Sequence, residues 1–120
     1  MNTSRSLRKV LVRGAFTAAL LATPALAISS QELAILRAKA EKGNAVAQYN
    51  LGMVYAATND PTSDPIEAYV WLHLAADNGA TGRALTDLES QLTPAQLDEG
   101  KARLEKRRAE LGFKTPASAT

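Results

Sequence analysis

Cysteine is absent from the 120 residues, which excludes disulfides, thiolate metal sites and a lipid-modified cysteine. Histidine occurs once, as His73. One imidazole does not make a metal cluster, and without a nucleophile and a third orienting residue it does not make a triad. Glycine-rich phosphate loops, nucleophile elbows and paired histidines are missing as well. No segment alternates apolar and polar residues with the β-branched enrichment of a strand. No apolar run approaches the roughly 20 residues of a membrane-spanning helix. These absences predict an all-α chain that is not an enzyme, takes no cofactor and has no stable membrane anchor.

Acid is lacking from the first 27 positions, which carry Arg5, Arg8, Lys9 and Arg13, an apolar run from Gly14 to Ala22, and then Pro24 and Ala25-Leu26-Ala27. That order predicts a secretory signal peptide over 1–27, cut between Ala27 and Ile28, and hence a periplasmic or secreted product. A mitochondrial transit peptide is also basic and poor in acid, but lacks a compact apolar block ending in A-x-A. Arg8-Lys9 is not a twin arginine, so the general secretory route is expected. Four of the 14 basic residues and none of the 12 acidic ones precede Ile28, leaving 10 basic against 12 acidic residues in the mature chain. The basic balance belongs to the leader, and nothing calls for nucleic acid or an anionic membrane as partner.

What is present downstream is helix punctuation. Ser29 with Glu32 forms a capping box that opens a helix through Leu33, Leu36 and Ala40, closed at Gly43. Asn44 caps a second helix with Ala47, Leu51, Val54 and Tyr55 on one face, ended by the turn-rich stretch 58–63. Asp64-Pro65-Ile66-Glu67 opens a third, with Ala68, Trp71, Leu72, Ala75 and Ala76 as its stripe and Gly79 as its stop. A short fourth helix over about 83–91 packs through Leu85, Leu88 and Leu92. Thr93-Pro94-Ala95-Gln96 caps the last, which runs to about Leu111 before Gly112, and 113–120 reads as a flexible tail. Five helices in one domain, 28–112, follow the leader.

A shift of 36 residues lays Leu36 on Leu72, Ala40 on Ala76, Glu41 on Asp77 and Gly43 on Gly79. One extra residue then lays Ala47 on Ala84 and Leu51 on Leu88. A period in the mid-thirties made of helix pairs points to a short α/α solenoid. Chance recurrence in an alanine-rich helical chain is the alternative. Ala40, Gly43, Ala47-Gln48, Leu51-Gly52, Tyr55, Asp64, Ala68, Trp71, Ala75-Ala76 and Gly79 together resemble one full Sel-one-like repeat, over about 40–79. The family is the short relative of the tetratricopeptide repeat. The end of the chain, an Ala-Ala-x-x-Gly followed by a Leu-Thr-Pro-x-Gln helix, is similar to the way many bacterial members finish. Thr58, Asp60 and Pro61 depart from the family's Gly-x-Gly-Val loop, and Glu67 stands in place of its usual lysine. The resemblance implies a non-catalytic adaptor that binds a protein or peptide. A structural or chaperone-like helical bundle without a dedicated partner is the alternative, and with so few repeats self-association stays open.

The candidate contact residues are Tyr49, Met53 and His73. Tyr49 and Met53 are four apart, turned away from Ala47, Leu51 and Tyr55. They form either a protein-binding face or, if the first helix folds over them, ordinary core. His73 reads as a partly exposed surface residue with a contact role open. Trp71 reads as core, with ligand stacking as the lesser reading. In the last helix, Glu99 with Arg103, Lys101 with Glu105 and Lys106 with Glu110 predict a solvated, salt-bridged outer face, leaving an acidic partner open at Arg107-Arg108. The processing expectation has a direct check, the intact mass of the native product: it should begin at Ile28, and a cytoplasmic chain retaining 1–27 would refute export.

Overall fold

The computed structural model describes residues 28–58 and 60–113. The leader expected over 1–27, with Ala27 on its side of the cleavage point, and the tail 114–120 lie outside these residues. Among the described residues there are five helices and no strand: α1 (Ser30–Glu41), α2 (Ala45–Ala56), α3 (Pro65–Asp77), α4 (Ala84–Gln91) and α5 (Pro94–Leu111).

Local chemistry sets most of these boundaries. Both halves of the Ser29/Glu32 capping box form, as do both halves of the Thr93/Gln96 box, the latter with Pro94 at the first helical position. Asn44 Oδ1 accepts from the Ala47 amide at 2.9 Å, and Asp64 Oδ1 accepts from the Ile66 and Glu67 amides at 3.1 Å each. Each cap satisfies amide donors that the first turn of a helix leaves unpaired. Helices α1 and α3 end alike, on glycines with φ of +91° at Gly43 and +94° at Gly79. In both, the glycine N–H donates to the carbonyl three residues back and the next N–H to the carbonyl five back. The α2–α3 loop closes when Asp64 N–H donates to the Tyr55 carbonyl at 2.9 Å. Inside it Asp60 accepts from the Thr62 hydroxyl and amide, which hold its carboxyl below the usual range. Helix α4 alone has no side-chain cap.

Helix α3 is the hub. It packs on α2, α4 and α5, while α1 packs on α2. Contact from three sides corrects the expected single stripe: Tyr69, Val70 and Leu74 are buried along with Ala68, Trp71, Leu72 and Ala75, and Ala76 is only half-buried. On α2, Ala47, Leu51, Gly52 and Tyr55 are buried and Val54 is half-buried. On α4 only Leu88 is buried; Leu85, and Leu92 just past the helix end, are half-buried. Trp71 is fully buried, as the core reading expected, with the Arg107 guanidinium 5.2 Å from its ring centroid. Its indole nitrogen is the one buried side-chain polar atom among the described residues without a hydrogen-bond partner.

The tightest seam joins α2 to α3. A Cβ added at Gly52 would sit 2.7 Å from Leu72 Cγ and 3.2 Å from the Leu72 amide nitrogen, so only a residue without a side chain admits this crossing. A second lock sits beside it. Gln48 is fully buried; its amide nitrogen donates to the Ala40 carbonyl at 3.0 Å and its amide oxygen accepts from Asn78 Nδ2 at 2.9 Å. One side chain thereby ties the end of α1 and the end of α3 to α2. Phe113, expected in the tail, instead belongs to the domain. Its N–H donates to the Arg108 carbonyl at 2.9 Å, and its half-buried ring lies 3.5 Å from where a Gly43 Cβ would be.

Gly52→Ala therefore should cost about 1–3 kcal/mol, the usual range for overpacking a tight core. Combined with Leu72→Ala it should cost less than the two single changes added, because the clash is shared. Denaturant titration of the four chains measures both. A Gly52→Ala loss below about 0.5 kcal/mol, the scale of ordinary surface changes, would contradict the close crossing.

Candidate protein-binding furrow

Helix α4 leans on α3 and is not closely packed against α2. The gap between α2 and α4 becomes a furrow of three shallow hollows, about 200, 190 and 230 Å3 in volume. Tyr49 stands at one end with Leu72, Ala76, Ala80 and Leu85; Met53, Ala84 and Leu88 form the middle; Ala56, Pro65, Leu92 and Gln96 form the far end. The middle and far hollows share Ala56, Leu88 and Gln91. The Tyr49 and Met53 hollows are mainly apolar, edged by Thr81, Thr86 and Asp87, whereas the far hollow is more polar, with Thr58, Ser63, Gln91 and Gln96 in its walls.

Tyr49 and Met53 line separate hollows, which share no lining residue and follow one another along α2. Met53 is 44% exposed and Val46, one helical face with both, is 66% exposed. Tyr49 is half-buried, and what covers it is the segment after α3: a Cβ at Gly82 would meet its hydroxyl at 2.7 Å. No α1 residue lines any of the three hollows. The wall formed by Thr86, Asp87 and Gln91 went unread in the sequence, because the short fourth helix showed only its leucines as packing positions.

His73 does not join them. Its Nε2 is 2.9 Å from Glu89 Oε1, and its ring is 4.3 Å from that of Tyr69. It is half-buried between α3 and α4, partly exposed as expected, and its ring is paired with Glu89. Burial pushes the Tyr69 hydroxyl above its ordinary value; the Glu89 charge adds to this and Arg108 opposes it.

The solvated, salt-bridged outer face expected of α5 holds in part: Glu99 pairs with Arg103 and Lys106 with Glu110, but Arg107 and Arg108 turn to α3. Arg108 is buried and pairs with Asp77 of α3 at 2.7 Å and with Glu105 at 2.5 Å. Arg107 reaches Glu67 of α3 at 3.2 Å, and Arg103 reaches Glu67 at 3.4 Å and Glu99 at 2.6 Å. Lys106 meets Glu110 as expected, at 3.8 Å, whereas Glu105 serves Arg108 and forms no ion pair with Lys101. A further hollow of about 280 Å3 beside Glu67, Arg103, Lys106, Arg107 and Glu110 is charged, but its guanidinium groups are already committed to Glu67. Arg107 and Arg108 brace α5 on α3.

Among the described residues no group of three or more His, Asp or Glu side chains could hold a metal ion, and no helix is long and apolar enough to cross a membrane. Compared with family models, curated proteins and solved structures, the chain matches none.

Proposed function

We propose that the chain is an exported, non-catalytic adaptor of the Sel-one-like kind, which holds a segment of a protein or peptide partner along the α2–α4 furrow. On this reading α2 and α3 are the complete repeat, α1 is the second helix of the repeat before it, and α4 opens the repeat after it. The furrow is then the concave side of a short α/α solenoid, the surface such arrays use for binding.

What supports the proposal is that Tyr49 and Met53, one turn apart on α2, line neighbouring hollows whose walls mix apolar and polar side chains. Interfaces favour an aromatic anchor and an adaptable thioether beside hydrogen-bonding edges. The like termination of α1 and α3 at Gly43 and Gly79 supports the repeat, since equal geometry recurs at the sequence shift of 36. The export half rests on the residues before Ile28.

The paired change Tyr49→Ser and Met53→Ser, made in the mature chain, should abolish capture of a saturable partner from envelope extract. Helicity should be nearly unchanged, because Met53 is exposed and Tyr49 lies against a loop segment. Normal capture by the variant, or its unfolding, would remove both residues from the site. Weak capture of many unfolded chains by the parent would instead favour a chaperone-like bundle.

A further inference from the structure

Asn78 is the only asparagine in the chain followed by glycine. Such a pair is the backbone arrangement most open to deamidation, because no side chain on the following residue hinders attack of its nitrogen on the asparagine carboxamide. In this fold the pair sits at an exposed helix end, with nothing within 4 Å of where a Gly79 Cβ would be. The same carboxamide is half of the lock on Gln48. We propose that Asn78-Gly79 is a deamidation site, gated by fraying of the α3 end, whose conversion releases the Gln48 bridge between α1, α2 and α3.

The step balances without a cofactor. The Gly79 nitrogen, losing its proton, forms a bond to Asn78 Cγ. The Cγ–Nδ2 bond breaks, and the nitrogen leaves as ammonia with the proton it takes up. Water then opens the succinimide at either carbonyl, giving aspartate or isoaspartate. In the folded protein both partners are held: the Gly79 N–H donates to the Ala76 carbonyl at 3.1 Å and Asn78 Nδ2 donates to Gln48. Reaction therefore waits for the last turn of α3 to open, an event that helix ends allow far more often than global unfolding.

The consequence follows from donor and acceptor counting. Gln48 has no exposed surface, and its two amide atoms are each satisfied once. Aspartate at position 78 offers no donor when ionised. Its carboxylate then faces the Gln48 oxygen, and flipping the Gln48 amide merely moves the conflict to the Ala40 carbonyl. An acceptor facing an acceptor in a buried place is costly in either arrangement. The isoaspartate product is more disruptive, since its longer backbone displaces the Ala76–Gly79 and Ala75–Ala80 hydrogen bonds. Ala80 and Gly82 lie along the Tyr49 end of the furrow, so the change loosens that end too.

The test ages the full chain at pH 6 and pH 8 and maps its peptides for aspartate and isoaspartate, with Asn44 and Asn50 as internal controls. Conversion should appear first at position 78, faster at pH 8, and faster again in denaturant. Retention of the amide at 78 while a control asparagine converts would overturn the site. In parallel, Asn78→Asp should lower the melting temperature by about 5 °C, a typical response for a domain of this size. Helix-end charge alone would also lower it, so the same change is measured on a Gln48→Met background, where the drop should at least halve. An undiminished drop there would overturn the Gln48 coupling.

Discussion

The close crossing of α2 over α3 at Gly52 and Leu72 is the constraint on which the other contacts depend. It brings the two helices near enough for Leu51 and Trp71 to be fully buried and for Gln48 to reach both Ala40 and Asn78. A wider spacing would open gaps along the seam, and buried side chains of this kind contribute about 1.5–3 kcal/mol each. Helix α3 also receives α4 and α5 on its remaining sides. Because α4 is placed by α3 rather than by α2, the α2–α4 furrow exists at all.

Charge works in the same direction. Helix α5 has a low apolar content and buries only Gly100, Leu104 and Arg108, so packing alone holds it weakly. Three arginines compensate by reaching acids on α3 and its cap, with Arg108 on Asp77 the most enclosed pair. Burial disfavours the charged form of Arg108, but hydrogen bonds and charge from Asp77, then Glu105, prevail and raise its pKa above the ordinary value. A Cβ at Gly100 would meet the Tyr69 ring at 2.6 Å, so here too the absence of a side chain admits a neighbour.

What could be read in the sequence was local. Capping boxes, a proline at the first helical position and a terminating glycine act over three or four residues, and they placed the ends of α1, α3 and α5 correctly. Trp71 was legible as core because it sat on an apolar stripe. Contacts between distant residues were not legible. Gln48 and Asn78 are 30 apart, and Arg108 and Asp77 are 31 apart, so no spacing rule links them. For the basic helix, i,i+4 pairing was the only rule at hand; it found Arg103 with Glu99 and missed the acids on α3 that claim Arg107 and Arg108. Tyr49 and Met53 could be put on one face, but the segment 80–82 that half-covers Tyr49 reaches it only through the tertiary fold.

On unfolding, the α2–α3 seam should be the last structure lost and α4 the first. Helix α4 has eight residues, no side-chain cap and a single buried residue, whereas α3 buries seven. Native-state hydrogen exchange, read amide by amide across a denaturant series, tests this ordering directly. The amides of 51–55 and 70–75 should exchange only through global unfolding, with those of α4 exchanging through openings of lower free energy. Protection in α4 equal to that of α3, with α2 opening early, would contradict the seam as the foundation of the fold.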